Sequence, residues 1–290
     1  PRRRHIGRRD TATQRLGRVA GGLGCFEQPE SKIYVRCAKL CRPRVASVHF
    51  KKHYNIKMSR KIEHPIFNAP VLKWWKNHYD KVFIAPYPFY RLGKIEEDEV
   101  VLKAKGRDWN DWVPYDFDDI VKRAGEPISW QSMHQAISPE TSKLEFYEAV
   151  CFLACDGYHE RDELSLQKKI IEFCNLNRIF IPDDGQIPAI LHSILKDFLL
   201  CFSDSPILAL DAWRKNFSTL DLVSLGRDES VWFLPEAIHV PSPGILISSA
   251  DDGAEILIAM TDEAFEIADP RSFFEIVPVD DQTYRHWHYR

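Results

Sequence analysis

The apolar residues of this chain change their period once, and that change constrains the fold more than any other feature. From about Tyr115 to Phe202 they recur at helical spacing. Beyond Ser203 they fall in short runs rich in β-branched and aromatic residues, which is the pattern of strands. Winding a parallel sheet requires strand and helix to alternate, and here the helices come first. The order therefore predicts an α+β fold, helical in its N-terminal and middle part (115–202) and β-rich at 230–290, where an antiparallel meander is expected.

Individual elements follow from local signals. The spacing predicts a short helix over Asn68 to Tyr79 with Pro70 in its first turn, then a strand from Lys81 to Pro86 that its proline keeps out of a central sheet position. A helix from Tyr115 to Arg123 should close at Gly125, and Ser129 should cap a helix running to Ile137. Ser138-Pro139-Glu140-Thr141 reads as the start of the next helix, ending near Asp156-Gly157. A further helix is expected over Glu160 to Leu176, with Leu164, Ile170, Ile171 and Cys174 facing inward. The strongest periodicity belongs to Ile187, Ile190, Leu191, Ile194, Leu195, Phe198, Leu199 and Phe202, one stripe on one helix and hence core. That apolar stretch is 16 residues long and carries His192, Lys196 and Asp197, too short and too polar to cross a bilayer, so no transmembrane helix is expected. Strands are predicted at Val231 to Leu234, Ile238 to Val240, Gly244 to Ser248, Glu255 to Met260, Phe273 to Val279 and Thr283 to Tyr289. Asp251-Asp252-Gly253 supplies a hairpin turn between two of them.

Charge divides the chain differently. Of its 39 basic and 42 acidic residues, 15 basic and three acidic ones fall in residues 1–57, a balance of +12. The remaining 24 basic and 39 acidic residues give 58–290 a balance of −15. Residues 1–57 show no helical or strand period and read as a basic, disordered arm, and 58–290 reads as a single acidic domain. Three readings of the arm stay open: contact with nucleic acid or another anionic surface, a targeting presequence, and upstream sequence translated ahead of Met58, which stands at the break. A nucleic-acid partner is expected only if the arm is native.

Seven cysteines, an odd number with no framework spacing, point to free thiols in a reducing compartment. Cys37, Cys41, His49 and His53 have the residue types of a zinc site but only seven residues between the pairs, short of what a zinc finger needs. His286 and His288 flank Trp287 on a predicted strand, which places both imidazoles on one face as a metal would require. Asp251, Asp252 and His239 are the candidates for a third ligand. No phosphate-binding glycine loop, zinc-protease motif or nucleophile elbow occurs, and no cofactor is expected. Trp109, Trp112, Tyr158 and His159 fall on predicted loops and form the expected binding surface; His159 also lies among carboxylates as a general base would.

Ile238-His239-Val240-Pro241-Ser242-Pro243-Gly244-Ile245-Leu246-Ile247-Ser248, with the later run Phe273 to Trp287, resembles an uncharacterised bacterial family, domain of unknown function 2711. Segments at Ala85 to Phe89 and Phe180 to Pro182 extend the likeness over residues of about 66–289. The chain departs from the family where a Trp-Asp pair follows the strand, having Ala250-Asp251-Asp252-Gly253 there. The resemblance implies a cytoplasmic bacterial protein and supplies no catalytic residue. An acidic domain with aromatic loops is expected to bind a basic protein, as a regulatory or immunity-like protein masking a basic toxin or nuclease would. The alternatives are a metal-dependent hydrolase using the His286/His288 face and nucleic-acid binding through the arm.

Overall fold

In the computed structural model, the described residues are 60–66, 69–93, 117–154, 164–211, 213–229, 235–249 and 253–284. All belong to one compact unit, Cys37–Arg290. Seven helices and two antiparallel sheets are present among them, an α+β protein. The helices are α1 (Val71–Trp74), α2 (Phe117–Ala124), α3 (Trp130–Ile137), α4 (Lys143–Ala154), α5 (Leu164–Asn177), α6 (His192–Leu200) and α7 (Asp262–Ile267). The strands are β1 (Lys81–Pro86), β2 (Phe89–Arg91), β3 (Glu126–Ile128), β4 (Leu208–Leu210), β5 (Phe217–Thr219), β6 (Ala237–Val240), β7 (Ile245–Ser248) and β8 (Glu255–Met260). Residues 1–57 lie outside the described set.

The main sheet has six strands in the order β1-β8-β7-β6-β4-β5, and β2 pairs with β3 separately. The meander expected at the C-terminus is present as β6-β7-β8. Every residue of these three strands is buried. One face, carrying Ile238, Val240, Ile245, Ile247, Ile256, Ile258 and Met260, is covered by α6 and parts of α2 and α7. The other, carrying Leu246, Leu257, Ala259 and Ile84, is covered by Trp75, Trp130, Met133, Phe146, Val150 and Ile170. An antiparallel sheet with both faces dry explains why these strands read as apolar runs rather than strict alternation. Trp75 and Trp130 are completely buried, each contributing about 3 kcal/mol through the apolar area removed from water.

Most of the helix signals act as expected. Ser129 Oγ accepts from the Ser132 N–H at 3.1 Å and caps α3. Seven of the eight residues on the stripe from Ile187 to Phe202 are buried and Ile194 is half-buried. Gly125 ends α2 because nothing larger fits: an added Cβ would lie 2.4 Å from Val121 O and 2.5 Å from Ile190 Cδ1.

Four expectations change. The helix expected at Ser138 starts at Lys143, because Ser142 and Glu145 form a capping box in which each side chain bonds the other's backbone N–H. Ile171 is exposed, whereas Ile170 and Cys174 face inward. The strand expected over Phe273 to Val279 is instead a 3-10 turn at Pro270–Ser272, capped by Asp269, followed by a single bridge from Val277 to Ile84. Strands also begin before residue 230, at β4 and β5. Val231 to Leu234 and the end of the last predicted strand, 285–289, lie outside the described residues.

Candidate functional site

The six-stranded sheet has two edges, and they are finished differently. At the β1 edge, Val277 N–H donates to Ile84 O at 2.9 Å, and the strand ends in Pro86. At the β5 edge, no described residue pairs with the outer side of the strand. All three β5 residues are exposed, including Phe217 at 43%, and Trp213 in the preceding loop is 78% exposed.

The described residues of the β4–β5 loop that carries this tryptophan are tied together by hydrogen bonds. Asp211 stands at its start and closes it: Oδ1 accepts from Lys215 N–H at 2.9 Å and Asn216 N–H at 3.3 Å, and Oδ2 accepts from Asn216 Nδ2 at 2.6 Å. Arg214 N–H donates to Asp211 O at 2.8 Å. These bonds hold the Asp211 carboxyl below its ordinary pKa, the Asn216 side-chain bond being the largest cause. Arg214 itself adopts φ 54°, a left-handed conformation that costs a non-glycine residue about 1 kcal/mol or more.

What fixes Arg214 there is its guanidinium. Nη1 donates to Ile62 O at 2.7 Å, and Nη2 donates to Ser248 Oγ at 2.7 Å. His64 Nδ1 lies 2.5 Å from the same serine oxygen. An arginine can only donate, so Ser248 Oγ accepts from Arg214, and its bond to the imidazole runs in the direction that the His64 tautomer sets. The segment 60–64 thus runs as a strap past the sheet, tied at its other end by Arg60 Nη1 to Pro241 O at 2.7 Å. Trp74 and Trp75 both donate through Nε1 to Glu63 O, at 3.0 and 3.1 Å. Burial pushes the Arg214 pKa down to about 10, against the nearby carboxylates of Glu236 and Glu63. It stays charged at neutral pH. A serine between a cation and an imidazole has the make-up of an activated nucleophile, but Ser248 has no exposed surface. The triangle of Arg214, Ser248 and His64 is a latch that locks the hairpin to the strap.

The same face of the sheet contains Tyr79, whose hydroxyl is buried without a partner among the described residues. Burial holds that phenol above its ordinary value in spite of Arg60 and Arg214. His239, proposed as a third metal ligand, is buried on β6 and donates Nδ1–H to Ile245 O at 2.8 Å; burial lowers its pKa. Among the described residues, no group of three His, Cys, Asp or Glu could hold a metal ion. His286, His288, Asp251, Asp252, Trp109, Trp112, Tyr158 and His159 all lie outside the described residues, as do Cys37, Cys41, His49 and His53. Among the described residues, Cys151 and Cys174 are buried and Cys201 is half-buried. No described helix is long and apolar enough to cross a membrane.

Sequence reasoning missed Trp213, Arg214, Phe217, His64 and Ser248. One signal was there to use: Asp211 and Asn216 bracket a polar stretch between two apolar segments, Ile207 to Leu210 and Phe217 to Leu220, as turn residues do in a hairpin.

The fold and this surface define an α+β protein built on a double-sided antiparallel sheet, with one edge that no described residue pairs, beside an exposed tryptophan. The chain belongs to the family described as protein of unknown function DUF2711, whose model matches residues 68–289. Neither a curated protein nor a solved structure matches it.

Proposed function

We propose that this protein acts by binding another protein, a basic one, in the manner of a regulatory or immunity-like factor in a reducing, cytoplasmic compartment. The observation that carries the reading is Trp213, 78% exposed on a loop whose Asp211 and Arg214 are hydrogen-bonded to their surroundings. Tryptophan is among the residues most enriched at the positions that dominate interface energies, and Phe217 is exposed on the strand that follows. The loop's internal bonds mean that little ordering entropy remains to be lost on docking. The balance of −15 over residues 58–290 selects the sign of the partner.

The test is binding with and without the anchor. Proteins retained by the immobilised chain at low salt and released at high salt are identified, purified and titrated against the wild type and Trp213→Ala. The substitution should weaken a basic partner by at least about ten-fold, in line with the cost of losing an interface anchor. Equal affinities, or retention of acidic proteins only, would refute the reading. Nucleic-acid binding has one observation in its favour, the +12 of residues 1–57; it predicts that deleting those residues abolishes a salt-sensitive association with DNA or RNA.

A further inference from the structure

We infer that the partner docks by adding an extended strand to the open edge of β5, so that the six-stranded sheet becomes a seven-stranded one across the interface. This deepens the reading above and rests on it. The first step is to decide which backbone groups of β5 face outward. In an antiparallel pair, residues alternate between bonding their partner strand and pointing away from it. Leu220 N–H donates to Ile207 O at 2.8 Å, and Asp211 N–H donates to Asn216 O at 3.2 Å. With Leu208 opposite Thr219, Ala209 opposite Ser218 and Leu210 opposite Phe217, the inward set is Asn216, Ser218 and Leu220. Phe217 and Thr219 therefore direct their N–H and C=O groups away from β4, toward the open side. These four groups form a short template for a strand.

Side chains supply the rest of the recognition. Phe217 lies opposite Leu210, whose side chain belongs to the core on the Trp75 and Trp130 face. The exposed phenyl ring thus continues an apolar surface to the rim, where a strand passing along β5 would cover it. Trp213 stands at the Phe217 end of the same path. No charged side chain lies on β5, and neither lysine nor proline blocks the edge as they do on many natural sheets. The occupant that fits is an extended segment of a basic protein, with an apolar residue beside Phe217 and Trp213 and basic residues directed at the acidic body. A second copy of this chain would meet the edge with like charge.

Two labelled nine-residue peptides of equal charge test this on the full chain, one alternating Lys and Val and one with each Val replaced by Pro, which removes amide donors and the extended ladder. The Lys-Val peptide should bind at low salt, should protect the Phe217 and Thr219 amides from hydrogen exchange, and should bind at least ten-fold more tightly than its proline counterpart. Thr219→Pro removes an outward N–H without touching a bond to β4, so it should weaken the Lys-Val peptide at least ten-fold while leaving thermal unfolding close to wild type. If Thr219→Pro fails to fold, the two peptides and the exchange pattern on the wild type decide. Equal binding of both peptides, indifferent to Thr219→Pro, would overturn strand addition and leave the basic-partner reading standing. Failure of both peptides to bind would overturn both. A concentration-dependent dimer that Thr219→Pro dissolves would show the occupant to be a second copy and overturn the inference.

Discussion

Arg214 offers the sharpest test of how the hairpin is held. Its guanidinium makes two hydrogen bonds, to Ile62 O and Ser248 Oγ, both 2.7 Å. Bonds from a charged donor contribute about 1.5–3 kcal/mol each. Against them stand the desolvation that lowers the Arg214 pKa and the left-handed backbone at φ 54°. Arg214→Ala removes both bonds and keeps the unfavourable φ, so it should destabilise by about 3 kcal/mol after the recovered desolvation is deducted. Arg214→Gly removes the same bonds but suits φ 54°, and should be the more stable of the two by about 1 kcal/mol even though glycine is the more flexible residue when unfolded. Thermal unfolding reads both. For a domain of this size a loss of about 3 kcal/mol lowers Tm by roughly 6–12 °C, and the glycine variant should recover about a third of it. An alanine variant within about 0.5 kcal/mol of wild type, the usual range of inconsequential surface changes, would refute the latch. A glycine variant less stable than the alanine one would refute the argument from φ.

Two further outcomes follow from buried charge. His192 is 1% exposed and burial, aided by the Lys122 ammonium, lowers its pKa to about 4; its neutral form is favoured in the folded state, so the associated stability is complete above about pH 6.5 and is lost as pH falls toward 4. The loss is about 3 kcal/mol, and His192→Phe should shrink the Tm difference between pH 7 and pH 4; an unchanged difference would remove His192 as the cause. Glu275 accepts from the Trp130 and Gln131 N–H groups at 2.7 and 2.9 Å and from Tyr147 Oη at 3.3 Å, capping α3 from 145 residues away. Glu275→Ala should cost about 2 kcal/mol in urea unfolding and Glu275→Gln less; equal losses would mean that the carboxylate charge carries the whole of the cap and a neutral acceptor none of it.

How much of this was legible depended on how local each signal is. The stripe from Ile187 to Phe202 was readable because eight apolar residues share one helical face, and β8 was predicted with its observed bounds, Glu255–Met260, because Gly253 and Thr261 bracket a continuous apolar run. The three-residue strands β2 to β5 were not, since three residues cannot establish a period of two. Phe273 to Val279 looks like a strand by composition. Asp269 and Pro270 start a 3-10 turn there, and Glu275 is turned toward α3. The latch was invisible for a stronger reason: Arg214 reaches Ser248 across 34 positions and Ile62 across 152. No short-range pattern encodes either contact.

The division of labour at the β5 edge can be argued from magnitudes. Four backbone groups, at about 0.5–1.5 kcal/mol net for each bond, yield a few kcal/mol at most. Ordering an extended partner costs about 1–2 kcal/mol for each residue fixed. The ladder by itself is therefore close to neutral, which is how a three-residue edge can remain open without seeding aggregation. Binding needs the aromatic contribution, and an interface anchor such as tryptophan supplies about 2 kcal/mol or more. Trp213 gives the affinity, then, and Phe217 with Thr219 gives the register. The latch through Arg214 keeps the two at a fixed separation, so breaking it should weaken partner binding even though Arg214 touches no partner. Arg214→Gly, folded but unlatched, should bind the Lys-Val peptide more weakly than wild type at a temperature well below its Tm; unchanged affinity there would mean that the loop holds Trp213 in place through Asp211 alone.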